Sequence, residues 1–293
     1  MSQEVTISIA LVTRNRPESL RRCLRSWRSQ TIEPFEIVVS DDSDEEFQAE
    51  VKRIAVEFGA KWINGPQRGL YANRNHVARA CLGSHFFSSD DDHEHPKDLL
   101  AICTEEVRAD PRSSWCLGEV AAWEDIESKG WYLPGELSVT GGSVVPKDRS
   151  NCRAWSDGAT VFPREIFDDG LYFCEAFRFG VSYLEFGCLL QAVGRRIRVL
   201  NKTGVIHHFG GAERSFKIPD EERASWYFAI LMLARVYQPT AKNSLLMAFY
   251  FFKELIKSPF KCWKSLSWAR KAKSEREQWY TGWSSNRPRN SVT

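Results

Sequence analysis

The sequence predicts an α/β fold: a mostly parallel sheet flanked by helices, followed by a C-terminal helical extension. Three observations carry this. Residues 1–110 alternate short β-branched apolar runs with segments of helical period, the rhythm of strands joined by crossover helices. The apolar runs are continuous rather than alternating, as in strands covered on both faces. From residue 240 to 273 that rhythm stops, and lysines interleave with large aromatics.

The elements follow in order. VTISIALV (5–12) reads as a buried strand. Pro17 then opens a helix, where it loses no needed N–H, and Leu20, Cys23, Leu24 and Trp27 fall at i, i+3, i+4 and i+7. EIVVS (36–40) is a second strand. Phe47, Val51, Ile54 and Phe58 mark one face of a second helix, and KWIN is a short third strand. A helix from about Tyr71 to Leu82 leads through Gly83 into SHFFSS, a fourth strand. From Trp115 to Ser150 the pattern loosens into loop chemistry. Apolar residues return in ATVFPREIF, Leu184–Val193 reads as a helix that Gly194 can end, and RRIRVL and GVIHHF are strand material. Three regions are expected: 1–110, 111–215 and a helical 216–293.

Composition narrows the function. The formal charge of +2 over 293 residues is nearly balanced, so no nucleic-acid partner is expected. The eight cysteines form no CxxC pair, which argues against a zinc ribbon and for buried thiols in a reducing compartment. No basic segment precedes VTISIALV, and WYFAILMLA and LLMAFYFF fall far short of the ~20 residues of a membrane span. The expected location is cytoplasmic, peripheral on the inner membrane face. Eight basic residues against Glu254 in 240–273, with six Phe and Trp residues among them, suggest a surface for an anionic membrane. The alternative is a helix packed on the main domain with solvated lysines.

In parallel sheets, ligands bind beyond the carboxyl ends of the strands. The polar clusters fall at those ends: Thr13-Arg14-Asn15, Asp41-Asp42-Ser43-Asp44 and Asp90-Asp91-Asp92. Three adjacent carboxylates need a cation. Mg²⁺ and Mn²⁺ take one or two carboxylates and fill their shells from water and phosphates, so a metal-bridged diphosphate fits this rim. A solvated acidic turn is the plain alternative.

ISIALVTRNRPESLRRCLRSWRSQ, EIVVSDDSDEE, QRGLYANRNHVARACLG, FFSSDDDHEHP and GATVFPREIF together resemble family 2 glycosyltransferases of GT-A fold over about residues 5–215. The resemblance implies a nucleotide-diphospho-sugar donor (a UDP-sugar), a divalent metal, Mn²⁺ or Mg²⁺, and inversion at the anomeric carbon. By position, Val12, Thr13 and Arg14 would line the nucleoside pocket, Asp42 would bond the base, and Arg74 would face the nucleotide. Asp90, Asp91 and Asp92 would meet the donor, Asp90 and Asp92 as metal ligands with Asp92 the more direct. His207 would reach the metal, with His208 as substitute. The family's catalytic Glu-Asp pair is replaced here by Ser182-Tyr183. Tyrosine is a poor base near neutral pH. Glu185 is therefore the expected base, and Asp157 of SDGA the second candidate. The acceptor would be a glycan or a lipid-linked saccharide, with Trp131, Tyr132, Trp155 and Tyr172 available to stack on sugar rings. Two other functions remain open: a sugar-nucleotide binder without turnover, which the missing pair favours, and a nucleotidyltransferase, against which the lack of a glycine-rich phosphate loop counts.

Overall fold

The computed structural model describes residues 4–208 and 219–285. The expected boundary at 215/216 lies outside them. Strand β1 (Ile7–Thr13), helix α1 (Pro17–Arg28), β2 (Glu36–Asp41), α2 (Glu45–Glu57), β3 (Lys61–Asn64), α3 (Leu70–Ala80) and β4 (His85–Asp90) follow the predicted order. β5 (His93–Glu94) and α4 (Leu99–Ala109) come next, then β6 (Ser114–Val120) and the short α5 (Glu124–Lys129). A small hairpin of β7 (Glu136–Leu137) and β8 (Ser143–Val144) occupies the expected loop region, before β9 (Ala159–Pro163), α6 (Glu165–Asp168), α7 (Ser182–Ala192) and β10 (Ile197–His207). RRIRVL and GVIHHF thus form one strand, with a register shift between Leu200 and Gly204.

The sheet runs β3-β2-β1-β4-β9-β6-β10-β5. β1, β2, β3 and β4 are parallel, and the two inner strands β1 and β2 carry the continuous apolar runs of strands covered on both faces. β9 is antiparallel to both β4 and β6, and β5 is antiparallel to β10. One apolar layer, with Leu20, Leu24, Trp27, Ile54 and Phe87, lies under α1, α2 and α4. The other holds Phe86, Trp155, Phe162, Phe173 and Phe186 and extends to the C-terminal helices. Phe173 and Phe186 sit with centroids 4.3 Å apart at its centre.

Helices α8 (Pro219–Met232), α9 (Ala241–Lys257) and α10 (Pro259–Ser285) complete the described chain, α8 running into a wider turn at Leu233–Tyr237. α10 buries Cys262, Ser265, Ala269, Ala272 and Arg276, a seam of mostly small residues at spacings of three and four. That seam packs on α8 and fixes which side of α10 faces inward. One face of 240–273 is therefore packed, as the second reading has it, and the other is exposed.

Candidate active site

The carboxyl ends of β1, β2 and β4 meet on one rim, where each polar cluster has a distinct task. Asp91 turns inward and is fully buried. It accepts a hydrogen bond from Thr13 Oγ1 at 2.7 Å and pairs with Arg16 at 2.7 Å. Burial pushes its carboxyl upward against the charge of Arg16. Thr13 and Asp91, both expected at the donor, are thus bonded to each other, tying β1 to the β4 turn. Val12 packs in the core beside Ala10, Val38 and Tyr71.

Arg74 was expected to face the nucleotide, but it lies beneath the rim with 2 % of its side chain exposed. It donates to both oxygens of Asp90, at 2.8 and 2.9 Å, and to Ser88 Oγ at 2.9 Å. Its Nε is 2.8 Å from Asp157 Oδ1 without being aimed at it, so this contact is coulombic. Burial pushes the Asp157 carboxyl well above the usual range, against the charge of Arg74. The guanidinium thus draws together a carboxylate at the end of β4 and one just before β9.

Asp92, like Asp90, is partly exposed. It pairs with Arg16 at 2.7 Å and lies 3.8 Å from His93 Nε2 and 3.7 Å from His207 Nε2. The antiparallel pairing of β5 and β10 sets His207 opposite His93, their rings 4.6 Å apart. His93 Nδ1 sits 3.1 Å from the Gly158 carbonyl, which can only accept, so Nδ1 carries the proton. That leaves the lone pair of buried Nε2 with no hydrogen-bond partner. Burial, with His207 nearby, holds His93 below its ordinary pKa and neutral. The donor atoms of Asp92, His93 and His207 lie within 4.8 Å of one another. This nitrogen–oxygen set suits a divalent first-row cation, and the unpartnered Nε2 is the feature that fits it. Asp90, the other expected ligand, is outside this group and engaged by Arg74.

His207 shares its other ring nitrogen with Glu119, at 2.9 Å. Burial would lower this imidazole, but Asp92 and Glu119 outweigh it and push its pKa up to about 10. Burial also opposes charge on Asp92, yet His207, His93 and Arg16 hold that carboxyl far below the usual range. His208, the substitute ligand, is occupied by Glu94 at 2.9 Å.

Asp42 lies in a polar cavity of about 160 Å³ with Arg14, Asp44, Gln67, Gly69 and Arg178. It accepts from the Gln67 backbone N–H at 2.8 Å. Burial raises its carboxyl, opposed by the N–H groups of Gln67 and Gly69. Asn15 (φ 56°) and Gln67 (φ 52°) are the non-glycine residues in the left-handed region among those described, and both border this cavity's segments. On the other side of Glu119 a cleft of about 340 Å³ is lined by Trp131, Tyr132, Val145, Lys129 and Arg149. Gly118 and Gly204 pair across β6 and β10, and a Cβ on Gly204 would come within 2.4 Å of the Trp131 ring. That glycine pair seats Trp131 and leaves Tyr132 75 % exposed. Trp155 is core, and Tyr172 packs on Trp279 at 4.8 Å.

Residues 8–134 match the family model described as glycosyl transferase family 2. This stretch is a glycosyltransferase family 2 segment. It contains the polar rim from Thr13 to Asp92 and reaches Glu119 and Tyr132. No curated protein matches the chain in sequence. Among solved structures, S. aureus TarS 1–349 in complex with UDP-GlcNAc is similar at a TM-score of 0.63 and 15 % identity, over 94 % of this chain and 84 % of that one. GalNAc-T7 with UDP, GalNAc and Mn²⁺ gives 0.62 and 16 %, over 80 % of this chain and 48 % of that one. A longer S. aureus TarS chain gives 0.58 and 16 %; the present chain covers 44 % of it, with 86 % of itself aligned. These are GT-A structures, and the shared feature is the fold.

Glu185, the expected base of the family 2 frame, lies elsewhere. It is fully buried on α7, bonded by Arg276 and by the Tyr237 hydroxyl, both from the C-terminal helices. A carboxylate so enclosed has no open face toward an acceptor hydroxyl. Sequence reasoning also missed His93, Arg16 and Glu119. His93 and Arg16 stand inside quoted motifs, but their roles depend on strand register and a turn.

Proposed function

We propose that this chain is a metal-dependent, inverting glycosyltransferase that moves a sugar from a UDP-sugar to a glycan or lipid-linked acceptor at the cytoplasmic face of an anionic membrane. The observation that carries the reading is the juxtaposition of Asp92 and His93, inside the family 2 segment, with His207 of β10, on a rim that also carries Asp42. Asp42, Arg14 and the Gln67 turn would hold the nucleoside. Asp92, His93 and His207 would hold Mn²⁺ or Mg²⁺, which when bound neutralises charge on a leaving diphosphate. Arg74 fixes Asp90 and Asp157 with respect to one another. Asp157 is our candidate base: it lies on the same rim, and its raised affinity for protons suits proton abstraction near neutrality. The acceptor would enter through the cleft of Tyr132 and Trp131, where a sugar ring can stack.

The UDP complexes of TarS and GalNAc-T7 support the donor class, and the Mn²⁺ in the latter supports the metal. One observation favours a second reading, a sugar-nucleotide binder without turnover: Ser182-Tyr183 stand where the family carries its acids. The test is calorimetry with UDP and Mn²⁺ on wild type and Asp92→Ala. Metal-dependent binding should be lost in the variant with its thermal unfolding little changed. Undiminished binding would remove Asp92 from the site. UDP release from a panel of UDP-sugars then separates turnover from binding alone.

A further inference from the structure

Helix α9 buries one residue, Met247. Its inward contacts include Phe251 on Tyr227, with centroids 5.0 Å apart, and Glu254 on the Tyr227 hydroxyl at 3.3 Å. The opposite side is apolar and bare. Leu245, Phe249, Phe252 and Ile256 are 72, 60, 60 and 68 % exposed. The same spacing of three and four continues past Ser258 into α10, where Phe260 is 90 % and Trp263 67 % exposed. Single exposed apolar residues need no explanation, but an ordered run of six does. Because the seam from Cys262 to Arg276 holds α10 against α8, the helix cannot roll to hide its outer residues.

The residues around this stripe state what would cover it. Lys242, Lys253, Lys257, Lys261 and Lys264 are all exposed. The acid of this stretch, Glu254, faces Tyr227 and accepts from Lys257 at 3.4 Å. An apolar stripe rich in Phe and Trp, rimmed by cations of one sign, matches a bilayer whose interface takes aromatics and whose headgroups are anionic. A second copy fits poorly. A two-fold contact apposes the same patch on both molecules and would bring lysines against lysines. No described helix is long and apolar enough to cross a membrane.

We infer that the outer faces of α9 and α10 form a docking surface for an anionic lipid bilayer, with Phe249, Phe252, Phe260 and Trp263 inserted at the interface and the flanking lysines on the headgroups. This gives a place on the chain to the membrane setting proposed above. It stands apart from sugar transfer, because binding is measured without donor.

The experiment is co-flotation of the full chain with phosphatidylcholine vesicles, with and without phosphatidylserine. Truncation is a poor test, since α10 carries the partner of Glu185; surface substitutions are used instead. Wild type should float with anionic vesicles, weakly with neutral ones, and salt should release part of it. Phe249→Ser/Phe252→Ser/Phe260→Ser/Trp263→Ser should stay at the bottom at every salt concentration while unfolding at nearly the wild-type temperature. Lys253→Gln/Lys257→Gln/Lys261→Gln should weaken binding by about fivefold per lysine, and only to anionic vesicles at low salt. Three results would overturn the inference: wild type that ignores anionic vesicles, an aromatic variant that floats as wild type does, or a stripe that supports a lipid-free dimer without vesicle binding.

Discussion

Replacing Arg276 by methionine isolates the contact that joins the C-terminal helices to α7. The pair is buried on both sides, with side-chain exposures of 3 % and 0 %. Arg276 Nε donates to Glu185 at 3.0 Å and a terminal nitrogen to the other oxygen at 3.2 Å, a bidentate contact. A further bond runs to the Tyr172 carbonyl at 2.7 Å. Methionine keeps an apolar stem against Trp279, whose ring lies 4.2 Å from the guanidinium. Removing one member of a buried pair costs about 3–5 kcal/mol, because the other is left charged without a counter-ion, here with the Tyr237 hydroxyl as a remaining donor. Protonating an ordinary glutamate at pH 7 costs about 3.7 kcal/mol, which caps the loss near that figure. The expected loss in urea unfolding at pH 7 is thus about 3–4 kcal/mol. Glu185→Gln/Arg276→Met, which strands no charge, should recover about half of it or more. A single variant within about 1 kcal/mol of wild type, or a double variant no better than the single, would refute the reasoning. The same series decides the role of Glu185. Glu185→Gln that keeps full stability but loses turnover would return the base to that residue.

Three further outcomes follow. Asp157→Asn should retain UDP binding and lose transfer by roughly 100- to 10,000-fold, as for a general base; transfer within a few-fold of wild type would exclude it. His207, pushed up to about 10, is protonated at neutral pH, whereas a metal ligand must be neutral. Mn²⁺ binding should therefore release a proton and tighten as pH rises, by up to about tenfold per unit; calorimetry in buffers of different ionisation heat reads this directly, and binding with no proton release would contradict it. His85 is held below its ordinary pKa by burial, so the unfolded chain takes up a proton that the folded one refuses. Stability should be complete above about pH 6.5 and fall below it, by at most about 1.4 kcal/mol per unit from this group. Urea titrations of wild type and His85→Gln at pH 7 and below should differ in that slope, although buried His93 and His95 act in the same direction.

The parallel half of the fold was legible because its signal is local. ISIALV and EIVVS are buried on both faces, and the helices between them repeat at helical spacing. Asp92 and His207 were legible as candidates because they belong to motifs, and the structure brings them together. What escaped depends on contacts that no window of sequence contains. His93 becomes a metal-ligand candidate only through antiparallel pairing with a strand more than a hundred residues later. Arg74 looks like a nucleotide contact in ANRN, yet its reach to both Asp90 and Asp157 buries it. Glu185 looks catalytic until Arg276, 91 residues on, is found beside it. The tail's composition announced a basic aromatic surface, while the seam beginning at Cys262 reads simply as small residues at helical spacing.

The reversed strand β9 has a consequence for how this chain can vary. In a parallel strand, functional residues sit at the exit. β9 runs the other way, so its entrance stands on the rim, and Ala159 pairs with Ser89 just below the aspartates. Asp157 is thereby positioned from downstream, by Gly158, the single residue between it and β9. The long stretch before it, from Ala121 through the β7–β8 hairpin, can gain or lose residues without displacing the carboxylate. One residue added between Asp157 and Ala159 would move it off the rim. There Gly158 holds φ +82°, and even a Cβ would fall 2.3 Å from Asp90. Length can drift along the first stretch while the position of Asp157 against Asp90 and Arg74 stays anchored by the second.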